Sequence, residues 1–456
     1  MPRSIIGIVD SDSFVKWGAS LLATMPAGWR SSLVAVNTAA TASDGQLRSA
    51  LGALPAVEGV RGGAGSIGDG TAPGVGEVER LSRPEIIERI RRERPDAVLV
   101  ATRGPIAEVL IDEIHQRVPR RPVIVTGLPG ISTPAKWKGL FLRARADLFV
   151  LHSHREIREY RALAASRGMT HRFGLSTLPF LHGRARGPIG GRRDRIVFAA
   201  QPTVPAGVEA RRMLVSWLAE TAAAHPHLEV VIKIRATTGE GQTHVERHPY
   251  RDLVPEDAPA NLVVEGGSMA AQLDRAVGFV TVSSTAALEA IAHDVPSLVL
   301  ADFGVSGKLI NEVFMGSGLL GTSRDLVAGR FKQVVDGWRE DNYFHPAVDD
   351  DWAHQLDMLV ALRETARLPE RPAVRVSRGG SLRRAWERKR AFGRHDHSAI
   401  GYVALAVGTP LRAARNAAFA ALPNVSREEP VDVLVEQPEA LRSAADALSQ
   451  AATPAS

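Results

Sequence analysis

The feature that most constrains this chain is an alternation between short β-branched apolar runs and longer segments with helical periodicity. Continuous apolar runs of this length are typical of strands buried on both faces, as in parallel sheets. Helix-length segments such as 83–95 and 104–118 separate them, which predicts a doubly wound α/β domain. The runs of the first part of the chain are "SIIGIVD" (4–10), "SSLVAVN" (31–37), "DAVLVAT" (96–102), "PVIVTG" (122–127) and "ADLFVLH" (146–152).

The same alternation restarts after a break. Residues 182–194 are rich in Gly and Arg, lack an apolar period and are interpreted as an interdomain linker. Further strand-like runs follow at 195–201, 228–236, 260–267, 276–282 and 296–302. In tandem, two such domains face each other across a central cleft at the carboxyl ends of both sheets, where ligands of these folds bind. We therefore expect one Rossmann-like domain over 1–185, a second over 195–365, and a basic, Ala- and Arg-rich helical tail over 366–456.

Composition excludes several classes of site. The chain has no cysteine, which rules out disulfide frameworks, thiolate zinc sites and cysteine nucleophiles, and suits a reducing cytoplasm. The longest apolar run near the end, 399–408, is about half of what a membrane-spanning helix needs. We accordingly expect a cytoplasmic protein without a membrane span.

A strongly basic segment lies at 371–394. It contains nine Arg or Lys and one acidic residue, Glu387, in a chain of net charge +6. Such a stretch fits an anionic membrane surface and would make the protein peripheral at the inner face of the membrane; a solvated basic face is the alternative. Aromatic residues for base stacking are few there (Trp386 and Phe392), which argues against nucleic acid as a partner.

Three other patterns carry less weight. Gly63, Gly65 and Gly68 have the G-x-G-x-x-G spacing of dinucleotide sites, but no strand or helix flanks them, so a loop over the cleft is the better interpretation. Residues 349–351 ("DDD") precede a helical pattern and are interpreted as a helix start rather than a metal site. The His-x-His pairs at 152/154 and 395/397 lack a third ligand, so neither a metal nor a cofactor is expected.

Three adjacent hydroxyl residues, Ser283, Ser284 and Thr285, stand where an apolar strand passes into the helical pattern "AALEAIAHD". A helix N-terminus offers free N–H groups and a partial positive charge, and the hydroxyls add donors, so this turn suits a phosphate. A helix cap, which needs one such residue, is the competing interpretation. Glu289, one turn further on, is within reach of a ribose hydroxyl, or is simply an exposed helix residue.

Basic residues follow the predicted strand at 228–236. Lys233 and Arg235 share one face of this strand by the two-residue period, and His248 lies in the loop beyond. Cationic groups at a strand end fit the phosphates of a leaving nucleotide. The alternative is a solvated loop with incidental basic residues.

The first strand of the chain ends in Asp10 and Asp12, at the same expected cleft. A carboxylate facing a hydroxyl can act as a general base, which makes these two residues catalytic candidates. Helix capping by Asp12, with Lys16 paired nearby, is the alternative. On the acceptor side, Arg103 and the loop 127–139, which contains Gly130, follow other strands of this domain and are candidate contacts.

A family resemblance rests on His248-Pro249 and on the turn that begins thirty-five residues later at Ser283. This pair of motifs resembles those of bacterial sialyltransferase-like and capsule-polysaccharide glycosyltransferases, and the chain to about residue 330 resembles a family of actinobacterial glycosyltransferases. The resemblance implies the two-domain GT-B fold and a CMP-activated or related sugar donor. It also implies that the histidine and the hydroxyls contact the donor phosphate and that an acidic residue of the N-terminal domain is the base.

One departure from the resemblance concerns the histidine. The capsule-type enzymes place Lys-x-His-Pro directly at the strand end, whereas here the strand ends in Lys233-Ile234-Arg235 and His248 comes thirteen residues after Arg235. Either the loop is longer and His248 folds back to the strand end, or Arg235 takes the place of the histidine.

These features together predict an inverting, metal-independent glycosyltransferase that uses a CMP- or other nucleotide-sugar. Its acceptor would be a surface glycan, such as a capsule or cell-envelope polysaccharide, or a lipid-linked sugar. Two alternatives stay open: a nucleotide-sugar 2-epimerase on the same fold, and a non-catalytic nucleotide-sugar-binding assembly protein.

Overall fold

The first half of the chain folds around a parallel sheet covered by helices on both faces. The computed structural model describes residues 2–38, 41–42, 44, 47, 78–178, 181, 193–234, 247–307, 309–371, 375–376, 380–420 and 433–434. The strands of this first domain are β1 (Arg3–Val9), β2 (Trp29–Val36), β3 (Glu79–Leu81), β4 (Ala97–Ala101), β5 (Val123–Gly127), β6 (Leu148–Leu151) and β7 (Phe173–Leu175). Its helices are α1 (Asp12–Ala23), α2 (Arg83–Glu93), α3 (Gly104–Arg117), α4 (Trp137–Phe141) and α5 (His154–Ser166).

A second parallel sheet follows. Its strands are β8 (Arg195–Ala199), β9 (Glu229–Lys233), β10 (Leu262–Glu265), β11 (Ala276–Thr281), β12 (Ser297–Leu300) and β13 (Leu320–Gly321). The helices around it are α6 (Val208–Ala224), α7 (Met269–Asp274), α8 (Ala286–Ala292), α9 (Ser323–Val327) and α10 (Asp336–Asp341). The two predicted doubly wound domains are thus present. Short polar strands such as β3 were not predicted, because two or three residues show no readable apolar period.

The strand order reverses once in each sheet, and these reversals locate the crevices. The first sheet has the order β3-β2-β1-β4-β5-β6-β7 and the second has the order β10-β9-β8-β11-β12-β13, with parallel pairing throughout both sheets. The connections that follow β1 and β4 therefore run towards opposite edges of the first sheet, and those that follow β8 and β11 run towards opposite edges of the second. Ligands of open α/β sheets bind at the carboxyl ends of such strands, so the loops after these four strands define the place to look for function.

Helix α11 (Trp352–Glu364) returns from the second domain to the first. Its Trp352, Leu356, Leu359 and Val360 are buried in the hydrophobic core formed by α1 and the first sheet. Asp351 directly precedes it and accepts a hydrogen bond from the Leu175 N–H (2.7 Å), so the predicted helix start after residues 349–351 is confirmed. The domain limits 1–185, 195–365 and 366–456 stay predictions; α11 packs on the first sheet although it lies within 195–365.

Direct contacts join the two domains. The Tyr343 hydroxyl donates to the buried carboxylate of Glu156 (2.6 Å) at the start of α5, and Arg158 of the same helix forms a bidentate pair with Asp341 (2.6 and 2.7 Å). Burial raises the pKa of Glu156. The N-terminal part of α5 therefore forms hydrogen bonds and an ion pair that hold the two domains together.

His152 ties α1 to the end of β6. Its Nε2 accepts a hydrogen bond from Trp17 Nε1 (2.7 Å), and its Nδ1 donates to the Ser176 carbonyl (2.7 Å). These partners require the neutral ring with its proton on Nδ1. Burial lowers the pKa of His152 to about 4. The ring therefore stays neutral in the folded protein at pH values at which the same histidine in the unfolded chain already binds a proton.

Replacing His152 by Gln is expected to weaken the pH dependence of stability. The folded pKa lies below the value of about 6.5 for an unfolded histidine, so stability is lost as the pH falls from about 6.5 towards 4, at about 1.4 kcal/mol per pH unit. Glutamine retains an acceptor and a donor but does not titrate. The slope of unfolding free energy against pH, measured by urea unfolding between about pH 7 and pH 5, should fall by about 1 kcal/mol per pH unit, because the unfolded histidine titrates within this range.

Two controls accompany this measurement. Burial also lowers the pKa values of His115 and His171 to about 4, so part of the slope should remain in the variant. The second control is the difference in unfolding free energy between the two proteins near pH 8, where histidine is unprotonated in both states, because it isolates the packing cost of the substitution. Equal slopes in the parent protein and His152→Gln would show that His152 is protonated in the fold.

The basic tail forms a helical hairpin on the first domain. Helices α12 (Gly380–Phe392) and α13 (Ala399–Ala420) pack against each other, and Phe392 is buried among the helices that cover the first sheet. A short antiparallel pair, β14 (Arg375–Val376) and β15 (Val433–Leu434), completes the described tail. Within the described ranges, no helix is long and apolar enough to cross a membrane.

Candidate functional site

The loops at the reversal point of the second sheet are joined by a hydrogen bond between side chains. Ser283, two residues after β11, donates from its hydroxyl to the side-chain oxygen of Gln201, two residues after β8 (2.7 Å). Ser283 is buried, while Gln201 is half-buried. The bond fixes the two loops relative to each other at the carboxyl edge of the sheet.

A buried arginine connects this pair to the loop of His248. Arg211, in the first turn of α6, is 1% exposed and donates to the backbone carbonyls of Gln201 (2.9 Å) and His248 (2.6 Å). It also donates to the carbonyls of Pro202 (2.6 Å) and Pro205 (2.9 Å). One guanidinium thus holds the loop after β8 and the His248 loop together. His248 is therefore linked to Ser283 through Arg211 and Gln201. The wide separation of these residues in the sequence gave no sign of this link.

The three adjacent hydroxyls have three different environments. Ser283 is bonded to Gln201, as described above. Ser284 accepts a hydrogen bond at its hydroxyl from the Ala286 N–H (3.2 Å) and so caps α8, while its own N–H donates to the Thr281 hydroxyl (3.0 Å). Thr285 is exposed. The turn therefore contains one capping hydroxyl, that of Ser284, and one exposed hydroxyl, that of Thr285.

Two further predicted residues of this domain, Lys233 and Glu289, lie on elements next to the same edge. Lys233 ends β9, beside β8, and is almost fully buried, with its ammonium donating to the Ile234 carbonyl (2.6 Å). Glu289 lies on α8 and is half-buried. Arg235 lies outside the described residues, as do Gly63, Gly65 and Gly68.

An ion pair occupies the reversal point of the first sheet. The carboxylate of Asp10, just after β1, is 0% exposed and accepts from the Ser11 N–H (2.7 Å) and from Arg103 Nε (2.7 Å), just after β4. A second guanidinium nitrogen of Arg103 donates to the Thr38 hydroxyl (3.1 Å). Asp10 thereby holds Arg103, whose side chain is about one-third exposed, at the carboxyl edge of this sheet.

Asp12 and Lys16 lie together on α1. Asp12 is the first residue of the helix, and its carboxylate pairs with the Lys16 ammonium (2.8 Å), with about a quarter of the Asp12 side chain exposed. Asp12 is thus more accessible than Asp10. Within the described ranges, no three His, Asp or Glu side chains converge in a way that suits a metal ion.

The two edges face each other across the cleft. Gly130, in the loop after β5, has φ +79°, a conformation that favours glycine, and a Cβ built there would lie 3.8 Å from the Thr285 methyl. The next residue, Ile131, packs against the core of the second domain. The predicted acceptor-side loop and the hydroxyl turn are therefore neighbours.

Sequence reasoning missed several residues of these groups. Gln201 is the last residue of one predicted strand (195–201) and Thr38 follows another (31–37), so a systematic reading of every strand end would have included them. Arg211 had no such signal, because it stands in an ordinary helical pattern next to a second arginine, Arg212. Only the fold shows that Arg211 points inward while Arg212 is exposed.

Solved structures share this fold at low sequence identity. The chain is similar to a "putative UDP-N-acetylglucosamine 2-epimerase from Listeria monocytogenes", at 15% identity over 82% of this chain and 98% of that one, with a TM-score of 0.50. A second UDP-N-acetylglucosamine 2-epimerase gives 11% identity, 81% and 98% coverage, and a TM-score of 0.50. A UDP-glucosyltransferase from Polygonum tinctorium is 13% identical over 80% of this chain and 99% of that one, with a TM-score of 0.48. The predicted GT-B fold is confirmed, and at these identities the likeness concerns the fold alone.

No curated protein matches the chain. The model of one family does match, over residues 5–359, which include both sheets from Ile5 of β1 onward and the first eight of the thirteen residues of α11. Because this match spans most of the chain, the protein belongs to the family described as "Putative glycosyltransferase (DUF6716)".

Proposed function

We propose that the protein is an inverting, metal-independent glycosyltransferase of the sialyltransferase-like or capsule-polysaccharide type. It moves a sugar from a CMP- or other nucleotide-sugar to a surface glycan or a lipid-linked sugar. The observation that carries the proposal is that polar groups occupy the reversal points of both sheets, Ser283 with Gln201 in one and Asp10 with Arg103 in the other. A transferase needs two such sites, one for the donor and one for the acceptor.

The donor is assigned to the second domain. Ser283, Ser284 and Thr285 lie in the turn after β11. A bound phosphate would take the Ser283 hydroxyl from Gln201 and the Ser284 N–H from Thr281, and the exposed Thr285 hydroxyl would add a donor. Arg211 holds the His248 loop beside them. Lys233 and Arg235 would add positive charge from the end of β9, and Glu289 would contact the ribose.

The acceptor and the catalytic base are assigned to the first domain. Asp12 is favoured over Asp10 as the base, because Asp10 is fully buried and bonded to Arg103, whereas Asp12 is accessible and bonded to Lys16 only on one oxygen. In this arrangement Asp10 positions Arg103, and Arg103, Lys16 and the Gly130 loop contact the acceptor. The basic segment 371–394 would keep the enzyme at an anionic membrane surface, where lipid-linked acceptors lie.

A nucleotide-sugar 2-epimerase is the second candidate, favoured by the fold likeness to two such enzymes at a TM-score of 0.50. An epimerase converts the donor without an acceptor, whereas a transferase requires one. Incubation with a nucleotide-sugar alone, followed by NMR analysis of the sugar, therefore separates the two: a 2-epimerised sugar would overturn the transferase proposal. A non-catalytic binder would leave the sugar unchanged with every acceptor.

Ser283→Ala and Ser284→Ala are each expected to weaken nucleotide binding about tenfold or more, since a hydrogen bond to a charged group contributes about 1.5–3 kcal/mol. The measurement is a thermal-shift panel with CMP, CDP, UDP and GDP on the parent protein, because a bound nucleotide raises stability by mass action. Titration of the best nucleotide against both variants follows.

The matched control is Ser216→Ala on α6, which removes a surface serine bonded to Glu220 in the same domain. It should leave nucleotide affinity unchanged. Parent-like affinity in both Ser283→Ala and Ser284→Ala would place the donor elsewhere.

A further inference from the structure

Helix α13 exposes an apolar face. From Ala399 to Leu411 the helix contains no charged residue. Large apolar side chains recur along it at helical spacing and are substantially exposed: Ile400 (49%), Val403 (57%), Val407 (45%) and Leu411 (65%). Exposed apolar surface of this extent marks an interaction site in a folded protein.

The opposite face of α13 is occupied by α12. A Cβ built at Gly408 would lie 2.5 Å from the Trp386 indole, whose Nε1 donates to the Thr409 hydroxyl (3.3 Å). The Lys389 ammonium lies 3.5 Å from the centre of the Tyr402 ring. Gly401 and Gly408 thus lie on the side of α13 that packs against α12. Ile400, Val403, Val407 and Leu411 are exposed, and so is Tyr402 (54%).

Positive charge lies beside this apolar face. Arg390 and Arg394 of the hairpin are exposed. The Arg390 guanidinium stacks over the Trp386 ring (4.6 Å), which places it next to the middle of α13. By contrast, Arg388 is bonded to Asp396 (2.9 Å).

The hairpin is attached to the domain that we assign to the acceptor. Phe392 and Ala385 of α12 are buried, and Arg83 of the first domain stacks over the Phe392 ring (5.8 Å). Whatever binds α13 is therefore held at a defined position relative to the first sheet.

We propose that the α12–α13 hairpin is an interfacial membrane anchor, in which the apolar face of α13 enters the surface of an anionic bilayer. An exposed apolar helix face without charge, flanked by arginines and by Trp386 and Tyr402, has the composition of helices that lie in the headgroup region. The arginines contact anionic headgroups, and the apolar side chains enter the acyl boundary. This deepens the peripheral attachment proposed above by assigning an inserted element, and it does not depend on the transfer reaction.

The test is co-sedimentation of the full chain with vesicles of phosphatidylcholine alone and of phosphatidylcholine with phosphatidylglycerol. The protein should bind the anionic vesicles, and Val403→Glu/Val407→Glu should weaken that binding at least about tenfold, because two inserted apolar groups become charges. Arg390→Glu/Arg394→Glu should also weaken it. Val348→Glu, at an 88% exposed valine outside the hairpin, is the matched control and should bind like the parent.

Three outcomes would overturn the proposal. The first is that the parent protein fails to bind anionic vesicles, and the second is that Val403→Glu/Val407→Glu binds them like the parent. The third is that this double variant converts a dimer into a monomer in sedimentation velocity without any vesicle binding by the parent, which would make a second copy of the chain the occupant. Nucleotide thermal shifts on the same variants should equal those of the parent, so failure of the anchor and failure of the donor site are distinguishable.

Discussion

Arg211→Leu is expected to destabilise the second domain by about 3–5 kcal/mol and to abolish nucleotide binding. The guanidinium is 1% exposed and donates to four backbone carbonyls, two of which belong to Gln201 and His248. Each buried acceptor that loses its donor costs about 1–3 kcal/mol, and water entering the space recovers part of this. Urea unfolding measures the first effect, and nucleotide titration below the unfolding transition measures the second.

The neighbouring arginine offers a matched control. Arg212 is exposed and pairs with Glu209 on the helix surface (2.6 Å), so Arg212→Leu should leave both the unfolding midpoint and nucleotide binding close to the parent values. Arg211→Lys should resemble Arg211→Leu, because one ammonium cannot reach four carbonyls in the fixed fork geometry of a guanidinium. Normal nucleotide affinity in a folded Arg211→Leu protein would show that the His248 loop is not part of the donor site.

Asp12→Asn is expected to lower the transfer rate by about 10²–10⁴ while leaving nucleotide affinity unchanged, the range for loss of a general base. Asparagine keeps the size of the side chain and the start of α1, but it cannot take a proton from the acceptor. Single-turnover rates with saturating donor measure the effect. The prediction rests on the proposed function, and a transfer rate equal to that of the parent would remove Asp12 from the chemistry.

Two further variants distinguish the effect of losing the base from the effect of disturbing the residues around it. Lys16→Met breaks the pair with Asp12 but keeps the carboxylate, so the rate at saturating acceptor should change by only a few-fold, whereas the KM for the acceptor should rise. Asp10→Asn removes the partner of Arg103, and we expect a lower unfolding midpoint together with a higher KM for the acceptor. A loss confined to kcat in Asp10→Asn, with parent-like stability, would reverse the two roles.

Much of the site could be located, but not assembled, from the sequence. Ser283 and Asp10 follow apolar runs that become β11 and β1, and a strand end in a parallel sheet is a place for ligands. Their partners Gln201 and Arg103 follow β8 and β4, which are far away in sequence. Nothing local distinguishes Gln201 from an ordinary loop residue. The bond to Ser283 exists because β8 and β11 are neighbours in the second sheet.

In the tail, too, the sequence shows the separate segments and only the fold shows how they meet. The sequence shows that the apolar run at 399–408 is too short to span a membrane and that the basic run before it fits an anionic surface. That these two segments form one hairpin, with Arg390 beside the apolar face of α13, depends on packing between Trp386 and Gly408.

By itself, the sequence determined the two parallel sheets and the loops at their carboxyl edges, because burial on both faces leaves a continuous apolar run that is visible in a few residues. The tertiary structure alone decided which polar groups meet: Ser283 with Gln201, His248 with Arg211, Asp10 with Arg103, and α11 with the first sheet. These contacts depend on strand order and on long crossovers, and no local pattern of the chain encodes which distant strand becomes a neighbour.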